Sequence, residues 1–374
     1  MGRWLTREEL HEVVWTEPLY RAGPALGISV PRLVETCAQA HVPLPGRGHW
    51  GKVQFGKPVG RTPLPMRPPG VHGRIYVAPR RRDTSSADMQ TFFGTMPEPT
   101  FPDDLVELEA AIAASTPRLR TPALASRTHR AIAEVLAEDD RRRREPGYAY
   151  ARRDPRFDGT GDRRLRILNA VFIGLERMGA EASARVDYQG GLQFGATVGN
   201  THVPFVVTSG SDKKRHREPG KPLEFRITSD DVQEPLRMWC DSESLPLERQ
   251  ISEIVAGVMF AGELLLRARE RDLYAHAIEW RQRQDEERRR RQLEAERQVR
   301  EREAAEERAR VDRLLGEAEH FRQAVAIREY VQSARVAVAA TSDSASAAFE
   351  SWAASALAIA DGIDPVRSGA FLRG

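Results

Sequence analysis

Residue types that do chemistry are present in this chain, but their spacing assembles few sites. The nine histidines show no H-x-x-x-H or H-E-x-x-H arrangement, which would place two imidazoles on one helix face around a metal. The glycines of GGLQFGATVGN (190–200) lack the phosphate-loop lysine and read as hairpin turns. Asp361 and Asp364 in ADGIDP imitate a carboxylate pair, yet beside Gly362 and Pro365 they read as cap and turn residues. Glu224 and Arg226 in LEFRIT share a strand face and suit either an anion or a solvated charge pair. Cys37 and Cys240 specify neither a disulfide framework nor a zinc site and fit a reducing compartment. The expectation is a protein without catalytic residues, metal or cofactor.

Cations offer more. The 57 basic and 54 acidic side chains of the 374 residues nearly balance, but residues 1–82 hold 13 Arg or Lys against 5 Asp or Glu, so the remainder is net negative. Residues 41–82 contain nine cations and no acid: Arg47, Lys52, Lys57, Arg61, Arg67, Arg74, Arg80, Arg81 and Arg82, with Trp50, Phe55 and Tyr76 interleaved. A cationic arm of this kind can follow a phosphate backbone, its affinity coming mainly from released counterions. The excess of 52 Arg over 5 Lys reflects codon composition rather than phosphate recognition, because it runs through the whole chain.

The elements that must position these residues follow from caps and periodicity. Thr6 and Glu9 form a capping box ahead of Leu10, Val13 and Val14. Pro18 ends that helix, Leu19 to Leu26 form a second, and Gly27 suits a left-handed helix end. Ser29 then caps a third helix with Val30, Leu33, Cys37 and Ala40 inward and Arg32, Glu35, Thr36 and Gln39 outward. The result is a trihelical, helix-turn-helix-like unit over 1–57, in which Arg32 and Gln39 are suitable types for guanine and adenine edges. Nine prolines between Pro58 and Pro102 mark an extended or disordered basic linker.

A helical bridge over 103–160 leads to an α+β domain over 161–262. There Leu165, Leu168, Val171, Phe172 and Leu175 stripe one helix, and four alternating runs (ARVDYQ, LQFGATV, HVPFVVTS, LEFRITS) form an antiparallel meander. Residues 263–318 carry 15 basic and 15 acidic side chains, with Glu286–Arg290, Glu287–Arg291 and Glu296–Arg300 spaced for i,i+4 pairs. From Glu248 to Gly316 such a helix would extend roughly 100 Å at about 1.5 Å per residue. Leu293, Val299 and Val311 are too sparse for sustained heptads, so a lone or loosely paired helix is expected rather than a tight coiled coil. Residues 319–374 read as a helical hairpin lined by Phe321, Val325, Tyr330 and Val331 on one arm and Phe349, Trp352, Ala353 and Leu357 on the other.

Several of these stretches together resemble a widespread, largely uncharacterised family of bacterial proteins with an N-terminal helix-turn-helix-like unit. They are WLTREELHEVVWTEPL, ALGISVPRLVETC, VPLPGRGHWGKVQFGK (where the family carries P-x-R-G-Y-W-x-K-x-x-x-G), MWCDSESLPLERQISEIVAG, AIREYV and SWAASALAIADGIDP. The resemblance spans most of the chain and brings no established activity with it. This copy departs from the family pattern at Gly23 and Pro24, and at Glu35 and Thr36, near which relatives carry lysines, so its reader surface is weaker.

The sequence therefore predicts a mainly helical α+β protein: the trihelical unit, the basic linker, a helix plus antiparallel meander, a long charged helix and a terminal hairpin. The expected activity is non-catalytic DNA binding through Arg32, Gln39, Arg47, Lys52, Lys57, Arg61, Arg80, Arg81 and Arg82. An unidentified protein partner is expected on the long helix or the hairpin. The alternative is a protein-interaction scaffold with no nucleic-acid role. No apolar run reaches membrane-spanning length, which suits a soluble, cytoplasmic protein.

Overall fold

The computed structural model describes residues 2–79, 86–124, 126–144, 162–186, 192–209, 222–229, 234–339 and 344–372. The chain is α+β and mainly helical, and it divides into two compact units, Met1–Arg281 and Gln282–Gly374. Among the described residues no helix is long and apolar enough to cross a membrane.

In the first unit, strand β1 (Arg3–Thr6) leads into α1 (Arg7–Thr16), α2 (Leu19–Ala25) and α3 (Val30–Gln39). The capping box forms as its spacing predicts, with Thr6 accepting from the Glu9 amide and Glu9 accepting from the Thr6 amide. Gly27 takes φ +73° at the turn, and Ser29 caps α3 by accepting from the Arg32 amide. Gly23 and Pro24 are accommodated because α2 ends there: the Ile28 amide folds back onto the Gly23 carbonyl at 2.9 Å. Leu10, Val14, Leu26, Leu33 and Cys37 form this subunit of the core, and burial pushes the Cys37 thiol up to about 12, leaving it protonated and inert. A short helix α4 (His49–Gln54) follows. Strand β2 (Arg74–Val77) pairs antiparallel with β1.

Helices α5 (Ser86–Gly94), α6 (Leu105–Ser115) and α7 (Arg130–Arg144) come next. The last two are not a separate bridge, since Ile112, Ile132 and Val135 join the main core. Helix α8 (Arg163–Arg177) buries every residue of its expected stripe. It packs with a five-stranded antiparallel meander of β3 (Glu181–Val186), β4 (Leu192–Val198), β5 (Thr201–Ser209), β6 (Leu223–Ile227) and β7 (Arg237–Cys240). Val203, Phe205 and Val207 alternate inward on β5, as do Leu223, Phe225 and Ile227 on β6, which is the period-2 pattern of a half-buried sheet. The fifth strand, RMWC, is one more than the four alternating runs. Glu224 and Arg226 lie on the other face, with Arg226 donating to the Thr208 hydroxyl at 3.0 Å.

Helix α9 runs from Ile251 to Ala339, so it starts earlier and ends later than its charged segment. Its apolar first turns (Ile251, Ile254, Val255, Val258) close the core over the sheet and α8. Two of the three expected i,i+4 pairs form, Glu287–Arg291 and Glu296–Arg300, while Arg290 turns instead to Glu294.

The second unit contains the later part of α9 together with α10 (Ser344–Ile363) and α11 (Pro365–Ser368). Its contacts run through Ala324, Val331, Ala353 and Ala360, with Tyr330 edge-on to Trp352. Phe321 and Tyr330 are exposed, Tyr330 touching the seam only through its edge contact with Trp352. Asp364 caps α11, as its place before Pro365 predicts. Arg328 bridges Asp361 at 2.8 Å and Asp364 at 2.7 Å, so both carboxylates serve as struts.

The motif WCD followed by LE has a structural role. Arg163 grips Asp241 with both terminal nitrogens, at 2.5 and 2.9 Å, and Glu248 at 2.7 and 2.6 Å. Burial alone would raise the Asp241 carboxyl, but Arg163 and the amides of Leu223 and Leu247 outweigh it and hold the carboxyl at about 2. Because the folded value lies below the unfolded one, its stabilisation is present above the ordinary 3.8 and is lost as pH falls from there to about 2. Acid titration followed by circular dichroism should show wild type losing stability across that window more steeply than Asp241→Asn. Arg163→Ala should cost about 1 to 3 kcal/mol near neutral pH.

Candidate functional site

The residues between α4 and β2 decide how the N-terminal unit is held. Glu263, on α9, is fully buried. Its carboxylate accepts from Arg67 at 2.6 and 2.9 Å, from Arg267 one turn along its own helix at 2.7 Å, and from the Gly70 amide at 3.1 Å. Arg67 also reaches Asp103 at 2.8 Å and the Val71 carbonyl at 2.8 Å. Arg267 donates to the Asp103 carbonyl and lies over the Phe101 ring. Burial would raise the Glu263 carboxyl, yet the two guanidiniums win and lower it, while the paired carboxylates raise Arg67 against its own burial.

Gly70 is the pivot of this clasp. At φ +71°, a Cβ placed there would meet the Val198 carbonyl oxygen at 2.2 Å, so only glycine fits. Its carbonyl accepts from the Asn200 amide and the Thr201 hydroxyl on the β4–β5 turn. Asn200 then receives the His72 amide and donates to the Gln39 carbonyl at the end of α3. His72 Nδ1 sits 2.8 Å from Glu270. On the other flank Arg7 is buried and donates to the carbonyls of Ala40, His41 and Pro65. A cleft of about 1030 Å³ runs against the clasp, with Trp4, Tyr76, Phe101, Asn200 and Arg269 in its wall.

Residues 58–79 are therefore not a free linker. A proline-rich composition suggests extension, but extension here is what lets the segment thread between α1, the sheet and α9, pinned from Arg67 to Val77 by the clasp and by the pairing of β2 with β1. Arg61 is partly committed as well, 2.7 Å from Glu12 and 2.9 Å from His11 Nδ1. Tyr76 packs with Trp4 and Phe92, and Trp50 contacts His49, which itself stands against Trp15. Phe55 is the exposed aromatic of the three.

The remaining candidate residues separate into two groups. Arg32 is exposed but bonded to Glu35 at 3.0 Å, and Gln39 Nε2 reaches the same carboxylate at 3.4 Å. Both reader positions of α3 are thus turned to one acid, and Thr36, expected outside, is buried with its hydroxyl on the Arg32 carbonyl. Arg47, Lys52 and Lys57 are exposed and form no ion pair among the described residues. Arg80, Arg81 and Arg82 lie outside the described residues.

Among the described residues no group of three or more His, Cys, Asp or Glu is placed to hold a metal ion. No protein-family profile, curated protein or solved structure matches the chain.

The clasp had a readable signal. Glu263 is the lone acid in IVAGVMFAGELLL, and an acid inside an apolar helix face needs a paired cation. Its loss should be severe: Glu263→Ala leaves Arg67 and Arg267 buried without their shared carboxylate, at a cost of about 3 to 5 kcal/mol. Urea denaturation of the full chain measures this, and a cost within the range of an exposed pair, below about 1 kcal/mol, would contradict the assignment.

Proposed function

We propose that this chain is a non-catalytic DNA-binding protein that contacts the duplex through its N-terminal helix-turn-helix-like unit and the basic segment after it. Its C-terminal part holds a protein partner. The observation that carries the reading is the split among the cations of residues 41–79, a stretch without an acid. Arg67 and, in part, Arg61 are consumed by the fold, whereas Arg47, Lys52 and Lys57 on and beside α4 are left to solvent. Cations without partners bind phosphate by releasing counterions, with no base preference. The α3 face adds little to this, because Glu35 already holds Arg32 and Gln39. Binding is accordingly sequence-tolerant.

That same neutral face favours a second reading, a protein-docking module with no nucleic-acid role. Titration of full chain against random-sequence duplex, followed by fluorescence anisotropy across a salt series, separates the two. Replacing Arg47, Lys52 and Lys57 together with alanine should weaken binding to every sequence and flatten the log–log salt slope by about 2 to 3. Glu35→Gln should strengthen binding, since it frees Arg32. Absence of binding at low salt leaves the docking module as the reading.

A further inference from the structure

We infer that α9 pairs with a second copy of itself, parallel and in register, over residues 303–325. Upstream of this stretch a heptad seam is interrupted by arginines, with Arg290 and Arg297 falling at core positions. From Ala304 the pattern changes. Ala304, Val311, Ala318 and Val325 occupy position a, and Leu314 and Phe321 occupy position d, with Glu307 the one polar exception. The second unit leaves this stripe uncovered: Val311 is 46% exposed, Leu314 66%, the adjacent Leu315 63% and Phe321 42%. At its C-terminal end the stripe meets the intrachain packing, where Ala324 is fully buried and Val325 half-buried.

Charge complementarity along the stripe fits a second copy of the same helix. In a parallel pair, position g of one helix faces position e of the next heptad on the other. Glu303 then meets Arg308 of the second copy, and Glu317 meets its Arg322. Glu303, Arg308 and Glu317 form no ion pair among the described residues, whereas neighbours such as Arg310 with Glu307 and Arg322 with Glu319 pair along the helix. Arg322 retains further N–H donors for a second carboxylate. An antiparallel pair with Val311 opposite Phe321 would instead set Arg308 against Arg322 and Glu317 against Glu317, which are like charges. The Val311→Cys cross-link separates the parallel pair from an antiparallel one with Val311 opposite Leu314. β-Branched Val311 at a with Leu314 at d is also the choice that favours two parallel strands. Three heptads make a reversible pair, not a permanent one.

Sedimentation equilibrium of the full chain should show a monomer–dimer equilibrium. Leu314→Glu, at an exposed site that spares the fold, should raise the dissociation constant about tenfold or more. Glu317→Arg should weaken the dimer, and adding Arg322→Glu to the same chain should restore it. For direction, in a Cys240→Ser background with Cys37 buried, Val311→Cys should form an interchain disulfide under mild oxidation and Arg313→Cys should not. A chain that stays monomeric up to the order of 100 μM, or a dimer indifferent to Leu314→Glu, overturns the pairing. A dimer whose Val311→Cys fails to cross-link overturns the parallel register.

Discussion

A single buried carboxylate organises the first unit. Glu263 sits at the centre of the contact between α9 and the segment 67–72, where it accepts from Arg67, Arg267 and the Gly70 amide. An ion buried this completely is tolerable only when every lone pair is used, and here the geometry that satisfies it also dictates the path of the chain. Gly70 has to approach the Val198 carbonyl, Asn200 is then brought to the end of α3, and β2 is delivered alongside β1. The N-terminal unit is therefore built into the same body as the sheet and the start of α9.

This constraint sorts the basic residues by role. Cations near the clasp neutralise carboxylates, and those on α4 and its flanks have no such partner among the described residues. The distinction is physical rather than compositional: Arg61 and Lys57 stand four positions apart in a uniformly basic stretch, yet one meets Glu12 and the other meets solvent. At the terminal hairpin the same logic turns Asp361 and Asp364 into anchors for Arg328.

What the sequence reveals is local. The Thr6–Glu9 box, the Gly27 turn, the Ser29 cap and the stripe of α8 each follow from side chains within one or two turns of each other, and each forms. The mainly helical α+β class follows with them. Long-range pairings are what periodicity cannot reach. β1 and β7 are four residues each, too short to display alternation, and β2 lies about seventy positions after its partner. Arg67 and Glu263 are 196 residues apart. The nine prolines between Pro58 and Pro102 suggest a tether over 58–102, because composition reports extension and not what an extended segment touches. The charged helix is bounded at Gly316 in the sequence, but a lone helical glycine costs only about 1 kcal/mol, and α9 passes through it. Of the candidate binding residues, Arg47, Lys52 and Lys57 keep the exposure their types suggested, while Arg32, Gln39 and Arg61 acquire partners.

Amide hydrogen exchange of the full chain, read by mass spectrometry with and without random-sequence duplex DNA, addresses both the clasp and the exposed cations at once. Residues 67–77 should already be protected in the free chain, and residues 46–57 should gain protection when DNA is added. Rapid exchange through 67–77 in the free chain, or no change in 46–57 on adding DNA, would contradict the account.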